Sequence, residues 1–175
     1  MRKIRGLFSI TIILTLCFCV TMTAFASKTG KQEALEKAKS YLDYSSYSKS
    51  GLVKELKKDG FTKEEANYAA RKCGANWKKQ AKRRAIDYLK VSTYSLKGLA
   101  KQLQFDGFSK KQAKYGAKKS GANWKKQALK KAGTYLSLSS YTKEGLVEQL
   151  EYDGFTKEEA QYAAEKKIKK NKKKK

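Results

Sequence analysis

The chain has 175 residues, 41 of them Lys or Arg against 16 Asp or Glu, with no histidine and no proline. Without histidine the commonest general acid–base group and metal ligand is missing, so an enzyme is not expected, and no cofactor, metal site or small-molecule substrate is expected either. A formal net charge of +25 argues for polyanionic surroundings such as nucleic acid, anionic lipid or the anionic polymers of a cell wall, and it speaks about partners rather than fold.

Residues 1–26 read as a secretory signal. Arg2, Lys3 and Arg5 form a basic start, a mostly apolar run follows from Leu7 to Val20, and Ala24-Phe25-Ala26 supplies the small residues that signal peptidase reads. Cleavage before Ser27 and export to the cell surface, the wall or the medium are expected. An uncleaved membrane anchor is the competing reading, against which the short run and the Ala-x-Ala site both weigh. A lipid anchor needs a small residue directly before its cysteine; Leu16 precedes Cys17 and Phe18 precedes Cys19, so lipidation is not expected. Loss of the signal leaves Cys73 as the one cysteine, which excludes an internal disulfide. Ser120 and Lys167 hold the matching places in the later repeats, and the thiol reads as a small, part-buried helix residue.

The rest of the chain is organised by a stretch that occurs three times at a spacing of 47 residues: Asp59-Gly60-Phe61-Thr62, Asp106-Gly107-Phe108-Ser109 and Asp153-Gly154-Phe155-Thr156. Glycine suits the left-handed conformation that ends a helix. Thr62, Ser109 and Thr156 can cap the next helix, with Glu65, Gln112 and Glu159 completing a capping box. Phe61, Phe108 and Phe155 can pack back on Ala66, Ala113 and Ala160 as a hydrophobic staple. Each copy therefore reads as the turn of a helix-turn-helix.

In chain order, the first helix of a repeat carries Ala34, Leu35, Ala38, Tyr41 and Leu42 on one stripe. Ser48 caps a second helix with Leu52, Val53 and Leu56 inward; Ser95 and Thr142 repeat the cap. The third helix carries Ala66, Ala69, Ala70 and Cys73, small residues that let a neighbour come close. Gly74 and Asn76, then Gly121 and Asn123, break and restart the chain ahead of Trp77 and Trp124, which open helices shared with the next repeat and can fill the junction. The expectation is an all-α array of three tandem 47-residue helix-turn-helix repeats with one continuous core. The segments are a signal at 1–26, repeats at 27–80, 81–127 and 128–165, and a Lys-rich tail at 166–175, whose end should fray because like charges repel.

Charge is distributed unevenly. Repeat two carries 13 basic residues against Asp87 and Asp106 alone, net +11, while repeats one and three are each near +5. Its third helix holds Lys110, Lys111, Lys114, Lys118 and Lys119, and Lys111, Lys114 and Lys118 share one face. These five are the candidate polyanion-binding residues. Lysine without arginine suits point contacts to phosphate better than base readout, so nonspecific binding is expected in preference to sequence recognition. The competing reading is a solvated lysine face. Most tyrosines sit at recurring positions on apolar stripes or before caps, which favours packing over base stacking; Tyr44 and Tyr152 stand outside that scheme.

The repeated pattern runs Ala34, Tyr41-Leu42, Tyr47-Ser48, Gly51-Leu52, Leu56, Gly60-Phe61-Thr62, Ala66, Tyr68 and Asn76-Trp77. It recurs through Trp124, and repeat three keeps it from Ala128 to Tyr162 but loses the final tryptophan, with Lys170-Asn171 in place of the Asn-Trp pair. The pattern resembles the Ltp family of host-cell-surface-exposed lipoproteins, built from tandem helix-turn-helix repeats. Two departures from that family are the missing lipobox and a third repeat. The resemblance implies superinfection exclusion: a surface protein that blocks DNA injection by a second phage, with a phage tail component, the tape-measure protein, as its partner. The alternative expectation is a cationic protein that binds an anionic wall polymer such as teichoic acid, or extracellular DNA.

Overall fold

A computed structural model describes residues 30–172, with side chains described through Lys169. The expected signal and its cysteines lie outside the described residues, as do Lys173–Lys175. Nine helices and no strands occur among the described residues. They are α1 (residues 30–44), α2 (Lys49–Lys58), α3 (Lys63–Lys72), α4 (Trp77–Val91), α5 (Leu96–Phe105), α6 (Lys110–Lys118), α7 (Trp124–Leu138), α8 (Lys143–Tyr152) and α9 (Lys157–Lys172).

The turn between the second and third helix of each repeat is built the same way three times. Gly60, Gly107 and Gly154 have φ of 97°, 87° and 88°, the left-handed region that L side chains avoid. After α5, Gly107 N–H donates to Gln104 O at 2.9 Å and Phe108 N–H to Leu103 O at 3.1 Å. This crossed pair of bonds satisfies carbonyls that the helix end would leave bare. The same pair follows α2, from Gly60 to Lys57 and Phe61 to Leu56, and α8, from Gly154 to Glu151 and Phe155 to Leu150. The capping boxes then start the third helices. Thr62 and Glu65, Ser109 and Gln112, and Thr156 and Glu159 exchange side-chain and backbone bonds of 2.9 to 3.3 Å.

The described chain forms two compact units, one of residues 30–43 with Leu52–Gly74, the other of Tyr44–Gly51 with Ala75 onward. The first buries Ala34, Ala38, Leu42, Leu52, Leu56, Ala66, Ala69 and Ala70. The second contains two three-helix groups. In α4–α6 the core is Ala81, Ala85, Leu99, Leu103, Phe108, Ala113 and Ala117. In α7–α9 it is Ala128, Ala132, Leu146, Leu150, Phe155, Ala160, Ala163 and Ala164. In each group the third helix packs against both of the others.

The second unit therefore holds two separate cores where the sequence suggested one continuous core. The small-residue stripes explain the difference. They let helices of the same repeat come very close: a Cβ added at Gly116 of α6 would stand 2.6 Å from the Ala81 backbone of α4. The apolar faces are thus consumed inside each repeat. Trp124 opens α7 yet packs partly buried against the α4–α6 core, so it is an apolar link between the repeats. At the C-terminal end the basic run continues α9 to Lys172, and Ile168 packs against the α7–α9 core.

Candidate functional site: a lysine helix on a common repeat frame

Three polar devices hold the frame, and each recurs at the 47-residue period. In the first, a tyrosine of the first helix donates its hydroxyl proton to the turn aspartate: Tyr41 to Asp59 at 2.7 Å, Tyr88 to Asp106 at 2.8 Å, Tyr135 to Asp153 at 2.7 Å. A cation one helical turn earlier lies over each ring: Lys37 at 5.5 Å, Arg84 at 4.9 Å and Lys131 at 5.1 Å from the centroid. Arg84 Nε also donates to Asp106 at 2.8 Å, and Lys131 stands 3.6 Å from Asp153. Burial works against the Arg84 charge, but bonding to Asp106 more than offsets it and the pKa is raised. Burial, followed by the Asp153 bond, pushes Tyr135 up to about 12; burial, followed by the Asp106 bond, raises Tyr88.

In the second device, a lysine at the start of the first helix lies over a tyrosine of the third. Lys31 stands 5.9 Å from the Tyr68 ring, Lys78 5.7 Å from Tyr115 and Lys125 5.5 Å from Tyr162. The third device links repeats. Ser48 Oγ accepts from Gly51 N–H, capping α2, and donates to Asp106 O at 2.6 Å; Ser50 Oγ donates to Gly107 O at 3.1 Å. Ser95 likewise caps α5 and donates to Asp153 O at 2.7 Å. Thr142 caps α8 through Gly145 N–H and is exposed. Gly107 is thus required twice, because a Cβ there would also strike Ser50 Oγ, whereas one at Gly60 would meet nothing.

On this frame α6 presents the predicted lysines. Ala113, Gly116 and Ala117 are buried, while Lys110, Lys111, Lys114, Lys118 and Lys119 are all exposed, Lys119 as the C-cap residue just past the helix. Repeat two's carboxylates are engaged elsewhere, Asp106 with Arg84 and Asp87 with Lys90 at 2.9 Å. The Lys90 bond is the main cause holding the Asp87 carboxyl below its ordinary value. The ion pairs among the described residues include none from these five lysines. Lys78 extends the patch from α4 through its position over Tyr115, which sits among Lys111, Lys118 and Lys119 by helical spacing.

The repeat-marking residues are scaffold. Phe108 and Phe155 are buried, Phe61 half-buried, and Trp77 and Trp124 half-buried at the starts of α4 and α7. A further set was not singled out in the sequence as a group. Tyr44, Val91 and Leu138 end the first helix of each repeat and are 89%, 82% and 77% exposed; Phe105 and Tyr152 end α5 and α8 and are each 88% exposed. Their signal in the sequence is recurrence at 47 residues just outside the apolar stripe. Cys73 is a half-buried free thiol whose Sγ lies 3.7 Å from Ala70 O.

No curated protein matches the chain. A solved structure described as Ltp, a superinfection exclusion protein from the Streptococcus thermophilus temperate phage TP-J34, is 34% identical. The match covers 51% of this chain and 94% of that one, with a TM-score of 0.48. The family model described as host cell surface-exposed lipoprotein matches at residues 29–72, 76–119 and 123–166. Its three tandem copies keep the 47-residue step of the turns and take up most of the sequence, and the chain belongs to that family of host cell surface-exposed lipoproteins.

Proposed function

We propose that the protein protects its host cell from superinfection by capturing a phage tail component at the cell surface and so blocking DNA injection. As a member of a family of host cell surface-exposed lipoproteins, it is an exported, cell-surface protein. The role given to the Streptococcus phage relative is superinfection exclusion; here it is part of the proposal. The reading makes the protein a binding module without catalytic chemistry of its own.

The observation that carries the reading is the set of exposed apolar residues at fixed places in the repeat. A single exposed apolar side chain is ordinary on a protein surface. Here Tyr44, Val91 and Leu138 recur at one place and Phe105 and Tyr152 at another, all in one compact unit. Recurrence of this kind suits an extended partner that meets successive repeats in the same way, such as an amphipathic helix with regularly spaced anchors; in this proposal the tape-measure protein supplies that helix. Truncating an anchor in such an interface costs about 2 kcal/mol or more.

The test expresses the chain with and without its first 26 residues in a phage-sensitive host and measures adsorption and DNA injection separately. The expected result is export-dependent loss of injection at normal adsorption. Unchanged injection across a broad phage panel, at confirmed surface levels, contradicts the proposal.

A further inference from the structure

Beyond the phage partner, the surface of repeat two points to a second ligand. We propose that the exposed lysine face of α6 binds a linear phosphodiester polymer of the cell envelope, of the polyol-phosphate type, and holds the protein within the anionic surface layer.

Charge and placement select this ligand. Lys111, Lys114 and Lys118 lie on the side of α6 away from the buried Ala113, Gly116 and Ala117, and all three are exposed. At 1.5 Å of rise per residue they span about 10 Å along the helix, enough to meet successive phosphates of one chain. None takes part in an ion pair among the described residues, so binding does not first have to break one. Lys78 adds a fourth ammonium beside Tyr115. The corresponding positions of repeat three are Glu158, Gln161 and Glu165, and Glu165 pairs with Lys143 at 3.1 Å. The lysine face is therefore a property of repeat two and is not demanded by the repeat.

The same residues argue against sequence-reading on duplex DNA. Base edges are read by Arg, Asn and Gln forks. Helix α6 has no arginine, and the oxygen of Gln112, its one side-chain amide, accepts from Ser109 N–H at 2.9 Å in the capping box. Lysines on flexible stems make point contacts to phosphate. At the cell surface, where the family resides, envelope polymers supply phosphates in long flexible runs.

The experiment uses the mature chain and deacylated poly(glycerol phosphate), with a duplex DNA of equal phosphate count as the comparison, over a salt series. Wild type is expected to bind the polymer more tightly than the duplex. The K111E/K114E/K118E variant should lose about tenfold or more in affinity for the polymer, with a log–log salt slope shallower by about two to three units. K111R/K114R/K118R should bind as wild type does, and far-ultraviolet circular dichroism confirms the helix content of both variants. Polymer affinity and slope unchanged in the glutamate variant overturn the site. Tighter binding of the duplex overturns the choice of ligand and favours nucleic acid.

Discussion

Helices α6 and α9 start from equivalent capping boxes, Ser109 with Gln112 and Thr156 with Glu159, and bury equivalent inner faces. Outside they differ. The first turn of α9 carries Glu158 and Glu159, the charges that a helix N-terminus favours, whereas α6 begins with Lys110 and Lys111 and no acid at all. Each misplaced charge costs about 0.3 to 1 kcal/mol. The comparison separates two kinds of position. Glycines, caps, alanines and turn aspartates specify the repeat and vary little between copies; outward positions carry charges that the fold neither needs nor, in α6, favours. Those charges are where the proposed polymer site of α6 and the outer face of α9 differ.

The largest predicted effect tests whether the inner halves are equivalent. Leu103 and Leu150 are fully buried at matching positions, and replacing either with alanine is expected to cost about 2 to 5 kcal/mol in urea unfolding. A difference between them well beyond that spread breaks the equivalence of the two cores. Next come the caps. Ser95→Ala removes both the α5 cap and the bond to Asp153 O, for an expected loss of about 2 kcal/mol. Thr142→Ala removes a cap alone and is expected to cost about 1 kcal/mol. Equal losses would show that the bond between repeats contributes nothing.

Smaller still are the dipole terms. Lys111→Glu is expected to stabilise, and Glu158→Lys to destabilise, each by about 0.5 kcal/mol at low salt and less at high salt. Opposite signs in matched thermal melts sharpen the contrast between α6 and α9; the same sign removes it. The last effect changes with pH only in the alkaline range. The folded protein holds Tyr135 at about 12 against an ordinary 10, so the protonated form is favoured by folding. That contribution is fully present below pH 10 and is lost as pH rises from 10 to 12. Unfolding curves across this range should show wild type losing more stability than Tyr135→Phe, which has no proton to lose.

Much of the frame was legible because it is written in local chemistry. Gly107 needs its left-handed φ, Ser109 and Gln112 cap each other within one turn, and Ala113 and Ala117 mark one face of α6; each depends on neighbours in sequence. The division of the core was not legible, because a stripe of small residues does not say which helix it meets. The second bonds of Ser48 and Ser95 were hidden for a similar reason. Their partner carbonyls lie 58 residues away, and a backbone carbonyl leaves no mark in the sequence. The link of Tyr88 to Asp106 was hidden in plainer sight: both recur at the repeat period, but an aromatic on an apolar stripe reads as packing until its hydroxyl is placed. The exposed lysines were found by composition and helical spacing alone. The exposed Val91 and Leu138 were not, since an apolar residue at a helix end looks like core.

If the 47-residue unit is a common frame whose outward residues decide what it binds, exchanging the two faces moves the binding with them: K111E/K114E/K118E combined with E158K/Q161K/E165K in one chain. The expected melting temperature lies within about 4 °C of wild type, on the scale of a 1 kcal/mol change. Poly(glycerol phosphate) binding is expected to be restored to within about threefold of wild type, with the steep salt slope recovered, now through α9. A chain that melts as wild type does but stays as weak a binder as the glutamate variant contradicts that expectation, because the lysines would then act only in the setting of repeat two.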